Sequence, residues 1–172
     1  LGKTRLRDRD HGAVYWARPD GSEIREVVQP ITTPNGIGLS PDEATLFVAE
    51  TEGARLYGFP IMGDGHVEKL PFPESLNGGR LITCDGGLRR FDSLALEANG
   101  NICVATLVTG GITVANPNGG TEEFIPTDDP FTTNICFGGP KLETAFITLS
   151  WCGLLAKVDW PRPGLPLNFL NT

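Results

Sequence analysis

Apolar residues along this chain come in short runs separated by polar turns, and the runs repeat. Three segments can be laid over one another. They are Ile37-Gly-Leu-Ser-Pro-Asp-Glu-Ala-Thr-Leu-Phe-Val-Ala49, Leu94-Ala-Leu-Glu-Ala-Asn-Gly-Asn-Ile-Cys-Val-Ala105 and Ile135-Cys-Phe-Gly-Gly-Pro-Lys-Leu-Glu-Thr-Ala-Phe-Ile147. Each predicts a strand, a polar turn and a second strand. The turns, Ser40-Pro-Asp-Glu43, Glu97-Ala-Asn-Gly100 and Gly138-Gly-Pro-Lys141, carry hairpin chemistry. Proline presets φ there, while glycine and asparagine tolerate positive φ. A third strand is expected over 55–59, 111–115 and 153–158, and a fourth over 66–72 and 121–125.

Ile37 and Leu94 stand 57 residues apart, and Leu94 and Ile135 stand 41 apart. The stretch 73–90 reads as an insertion in the longer gap. Without it both periods fall near ~40, and four strands in about 40–50 residues make one propeller blade. Short strands with turns also build β-sandwiches; the threefold recurrence decides for the propeller. The expected fold is therefore all-β, a β-propeller with about three to three and a half four-stranded blades in this chain. The expected layout is the tail of an earlier blade over 1–30, a blade over 31–72, the insertion over 73–90, blades over 91–126 and 127–160, and a C-terminal tail over 161–172. In the first part, His11-Gly-Ala-Val-Tyr-Trp16 and Glu23-Ile-Arg-Glu-Val-Val28 are strands around the turn Pro19-Asp-Gly21. Their inner partners would precede Leu1, so the chain is expected to begin in mid-blade.

Composition agrees. There are 22 Gly and 14 Pro in 172 residues, well above the usual ~12% for the two together, which favours many turns over long helices. The net charge of −7 makes nucleic acid a poor partner. Positive charge gathers in Lys3, Arg5, Arg7 and Arg9, but Asp8 and Asp10 interleave with it, so the stretch reads as a solvated loop. No apolar run approaches the ~20 residues that span a bilayer. No membrane segment is expected, and a cytoplasmic location is. Cys84, Cys103, Cys136 and Cys152 form no Cys-x-x-Cys pair, which argues against a zinc site. Cys103 and Cys136 read as buried free thiols.

Candidate chemistry follows from the repeat. The residue two places before each inner-strand start is Asn35, Asp92 or Thr133. Radial symmetry brings equivalent positions to one end of a propeller's channel. All three offer oxygen, which suits a hard cation such as Ca²⁺. Taken singly, Asn35 also fits a turn in Thr33-Pro-Asn-Gly36, Asp92 also fits a surface carboxylate or cap, and Thr133 adds little. His11 and His66 have no partners that suggest a nucleophilic triad, and no Gly-x-Ser-x-Gly occurs.

Thr33-Pro-Asn-Gly-Ile-Gly-Leu-Ser-Pro-Asp42, Leu46-Phe-Val-Ala-Glu-Thr51, Arg90-Phe-Asp-Ser-Leu-Ala-Leu96 and Thr132-Thr-Asn-Ile-Cys-Phe-Gly-Gly139 together resemble the gluconolactonase family, which includes senescence-marker protein (regucalcin) and luciferin-regenerating enzyme. The ending Val158-Asp-Trp-Pro-Arg-Pro-Gly-Leu-Pro-Leu-Asn-Phe169 resembles the C-terminus of bacterial members. The resemblance implies a six-bladed propeller and a metal-dependent hydrolase that opens a sugar-type lactone or related ester. It implies one divalent metal, Ca²⁺ first, with Zn²⁺, Mg²⁺ or Mn²⁺ as alternatives. Asn35 and Asp92 match two of the family's metal ligands. Asp92 is then the catalytic candidate, as metal holder and as base or nucleophile, and Thr133 is a weak substrate-binding candidate. The family's ligand Glu on its first blade, and a pocket Asn on an earlier blade, have no counterpart here. Phe91-Asp92-Ser93 also stands where the family commonly has Pro-Asp-Gly. The chain is thus expected to supply part of the active site. A missing N-terminal half or a second copy would complete the ring. The alternative is a non-catalytic propeller piece that serves binding or assembly.

Overall fold

The structure, a computed structural model, describes residues 11–84 and 86–168. The charged opening stretch and residues 169–172 of the tail lie outside the described residues. Fourteen strands and no helix are present among the described residues, so no helix there is long and apolar enough to cross a membrane.

Strands β1 (Gly12–Ala17) and β2 (Ile24–Ile31) form a hairpin. Strands β3 (Pro34–Leu39), β4 (Thr45–Glu50) and β5 (Arg55–Gly63) form an antiparallel meander. β5 carries two further partners, β6 (His66–Val67) on its far end and β7 (Arg80–Cys84) on its near half. Strands β8 (Arg90–Leu96), β9 (Ile102–Leu107), β10 (Gly111–Ala115) and β11 (Thr121–Pro126) make a four-stranded sheet. Strands β12 (Thr132–Gly138), β13 (Thr144–Leu149) and β14 (Leu154–Asp159) make the last sheet. The architecture is a partial β-propeller: antiparallel sheets stacked face to face, with inner strands β3, β8 and β12 side by side.

One difference from the sequence reading concerns the fourth strand of the first full blade. Only His66–Val67 of the expected 66–72 strand pairs, and the stretch 73–90 supplies β7 instead. Pro71 and Pro73 have no N–H for a ladder. The chain there folds into a compact loop, closed by Leu70 N–H to the Gly78 carbonyl at 2.8 Å and by Ser75 Oγ to the Gly79 carbonyl at 2.8 Å. β7 then returns along β5 and inserts Ile82 into the core.

Strand alternation explains the packing. On β9, Ile102 and Val104 point one way, to Phe47, Ala49, Leu56 and Phe91. Cys103 and Ala105 point the other way, to Ile135, Ala145 and Ile147. A third core joins Val14, Val28 and Ile31 of the hairpin to Val48 and Phe59. Each core lies between two neighbouring sheets, so a middle strand such as β9 is buried on both faces and reads as a continuous apolar run. Cys103 is buried and its thiol pKa is pushed up by that burial and by Glu97 beside it. Cys136, expected to be buried, is exposed: alternation turns it away from the core residue Ile135, onto the face of the last sheet that carries Phe146.

After β14 the chain crosses one end of all three blades. Gly164 N–H reaches the Leu142 carbonyl, Leu165 N–H the Leu96 carbonyl, and Asn168 Nδ2 donates to Glu43 Oε1 at 2.7 Å. Glu97, fully buried, fastens this strap. It accepts from Trp160 Nε1 at 2.7 Å and Arg162 Nε at 2.6 Å.

Candidate functional site

The same irregularity recurs near the start of each inner strand. Between Pro34 and Ile37, between Phe91 and Leu94, and between Thr132 and Asn134, the inner strand carries one residue more than its partner. These are β-bulges, which break side-chain alternation and re-aim what they carry. Asn35, Asp92 and Thr133 all sit in them.

Two of the three come together. Asn35 Nδ2 donates to Asp92 Oδ1 at 2.5 Å. Gly36 makes the approach possible: a Cβ on it would stand 2.6 Å from the Asp92 carbonyl oxygen and 2.9 Å from Leu94 N. Gly38, one alternation further on, would meet the Leu96 and Leu94 side chains within 2.8 Å. Two side-chain-free positions thus let β3 lie directly on β8. A turn does not explain Gly36, because it lies within β3. The sequence signal for this was a pair of alternate glycines inside a strand, which marks close approach of another backbone.

Asp92 is half-buried, and its burial pushes the carboxyl above its ordinary value while the Asn35 amide pulls it back. The pair offers one anionic and one neutral oxygen donor, the latter after rotation of the Asn35 amide. That chemistry fits a hard divalent cation, which would offset the cost of keeping Asp92 charged in its half-buried place. No group of three or more His, Cys, Asp or Glu side chains gathers to hold a metal among the described residues, so the set here is these two oxygens. Thr133 does not join them. Its Oγ1 bonds Thr148 Oγ1 and Ser150 Oγ, each at 2.8 Å, within its own sheet.

A cavity of about 640 Å³ lies further along the channel, between Ile37–Leu39, Leu94–Leu96, Asn134–Phe137 and the strap residues 165–168. Neither Asn35 nor Asp92 lines it. It does fix a level: those three strand segments face one another, so the starts of β3, β8 and β12 share one channel mouth.

The sequence pattern of the SMP-30/gluconolactonase/LRE-like region matches residues 1–150. The chain belongs to that family. Among curated family relatives, Lactonase drp35 of Staphylococcus saprophyticus is 34% identical over 108 residues, covering 63% of this chain and 32% of that protein. Lactonase drp35 of Staphylococcus epidermidis is likewise 34% identical over 108 residues, covering 63% of this chain and 31% of that protein. Among solved structures, a gluconolactonase from Xanthomonas campestris matches with TM-score 0.67 and 25% identity over 93% of this chain and 47% of that one. Regucalcin from Agrobacterium tumefaciens, a calcium-binding protein, matches with TM-score 0.68 and 20% identity, over 90% of this chain and 56% of that one. The chain spans about a third of the length of these curated relatives and about half of these structures.

Proposed function

We propose that this chain supplies part of the channel site of a metal-dependent lactone hydrolase. The observation that carries the reading is the Asn35–Asp92 pair, held at the channel mouth by two bulges and Gly36. The relatives named as lactonases and the calcium-binding neighbour support it. Asp92 holds a divalent cation through its carboxylate, and Asn35 adds a neutral oxygen. Ca²⁺ is the first choice because both donors are hard oxygens. Bound there, the cation supplies Lewis-acid polarisation of an ester carbonyl. The remaining donors come from outside this chain, either from a longer polypeptide or from a partner that completes the ring.

In the reaction, water oxygen adds to the lactone carbonyl carbon and loses its proton, for which Asp92 is the acceptor on this chain. The bond from acyl carbon to ring oxygen then breaks, and that oxygen leaves as a hydroxyl carrying the proton. The product is an open hydroxy acid. The test is Asp92→Ala and Asp92→Asn in the protein as it occurs. Lactone hydrolysis is followed by pH-stat and Ca²⁺, Mn²⁺ and Zn²⁺ binding by calorimetry. Both variants are expected to lose at least about 100-fold in activity and to bind metal far more weakly; unchanged turnover and affinity would sink the reading.

A further inference from the structure

Beyond the Asn35–Asp92 pair, the same end of the sheets carries a second built feature. Trp151 is 70% exposed, and its ring stacks on Phe131 with centroids 5.6 Å apart and planes 20° apart. Phe131 immediately precedes β12, and Trp151 lies in the turn between β13 and β14. β12 is antiparallel to β13, with Thr132 opposite Leu149, so both rings stand at the end where β12 begins. That is the end shared with Asn35 and Asp92.

The pair is held in place. Asp129 is buried, and its carboxylate accepts three backbone N–H groups: Phe131 at 2.7 Å, Trp151 at 3.3 Å and Cys152 at 3.0 Å. Ser150 N–H also reaches the Phe131 carbonyl at 2.9 Å. One buried carboxylate thus fixes the backbones of both aromatics. A large indole kept exposed on so rigid a support is costly to leave in water, and a supporting layer of this kind is what positions a binding group. Beside the rings lies the linked hydroxyl set Thr133, Thr148 and Ser150. An aromatic face next to hydroxyls matches a ligand with one apolar ring face and several hydroxyl groups.

We propose that Trp151, backed by Phe131 and flanked by the Thr133 and Ser150 hydroxyls, is the specificity platform of the site, receiving the ring of a polyhydroxylated, sugar-type lactone. The proposal rests on the lactone-hydrolase reading for its substrate. Trp151 gives binding that is equal in ground and transition states, so it acts on KM rather than kcat. Asp129 is a positioning residue that acts through it.

The test compares Trp151→Ala and Trp151→Phe with the unaltered protein, on glucono-1,5-lactone and on γ-butyrolactone, which has no hydroxyl groups. Trp151→Ala is expected to raise KM for the first about tenfold, with kcat within about twofold, and to leave the second unchanged. Trp151→Phe is expected to restore most of the loss. Equal effects on both lactones, or no change in KM, would overturn the proposal. A second readout needs no turnover. The non-hydrolysable ring 1,5-anhydroglucitol should quench tryptophan emission in the unaltered protein and not in Trp151→Phe. Quenching without any lactone hydrolysis would keep the platform and reject the hydrolase reading. Hydrolysis with no dependence on Trp151 would do the reverse.

Discussion

At the scale of single residues, the positions that matter most have little or no side chain, or a charge hidden from water. Gly36 is the first kind. With a Cβ only 2.6 Å from the Asp92 carbonyl, Gly36→Ala must push β3 off β8 and part Asn35 from Asp92. The expected cost is about 1–3 kcal/mol of stability, with metal affinity falling at least about tenfold, measured by denaturant melts and calorimetry. Glu97 is the second kind. In the sequence it sits in a polar turn; in the structure it is fully buried against Trp160 and Arg162. Burial acts to raise its pKa, but the hydrogen bonds from Arg162 and Trp160 overcome this and hold it below the ordinary value. A carboxylate depressed in the fold contributes stability above its unfolded value of ~4.3 and loses it as pH falls toward the folded value. Melting temperature should therefore fall between about pH 5 and pH 3, and Glu97→Gln should flatten part of that fall. At pH 7 the same variant should lose about 2–3 kcal/mol, because it removes the buried carboxylate from the Arg162 pairing and leaves that guanidinium only the more exposed Glu123.

At the scale of elements, the inner and middle strands were legible because each is a short apolar run that buries at least one face and ends in a turn of known chemistry. The hairpins 37–49, 94–105 and 135–147 all form as β3–β4, β8–β9 and β12–β13. The outer strand of the first full blade was not legible. Leu81-Ile-Thr is a short apolar run between Gly78-Gly79 and Gly86-Gly87, and composition there speaks for a loop. What makes it a strand is β5, which offers a free edge for the ladder, and the gap that Ile82 fills. This gives a sharp contrast. Ile82→Ala should cost about 2–4 kcal/mol, while Leu81→Ala, at a position 46% exposed, should cost less than about 1 kcal/mol. Similar losses in urea melts would mean that β7 does not pack as described. The bulges were equally hidden, since one extra residue in a strand leaves no mark on a hydrophobic pattern.

At the scale of the whole molecule, the middle sheet is covered on both faces and the last sheet on one. Ile147 and Ala156 face the core, so by alternation Phe146 and Leu155 face away from it, and Leu155 is 65% exposed. In a closed propeller a neighbouring blade covers such a face. The 172-residue chain expressed by itself is expected to self-associate through it, seen as a concentration-dependent mass in sedimentation. Leu155→Lys should weaken that association at least about tenfold, and a monomer at all concentrations would contradict the packing. The sequence by itself determined the blade repeat, the channel positions Asn35 and Asp92, and the family resemblance, because strand alternation and turn chemistry are local and recur at each copy. Only the tertiary structure decided that Asn35 meets Asp92 while Thr133 stays with its own sheet, that Glu97 is buried, and that Trp151 stands on Phe131. Those pairings join residues from different strands, turns or blades, and their distances are set by bulges, glycine contacts and the strap.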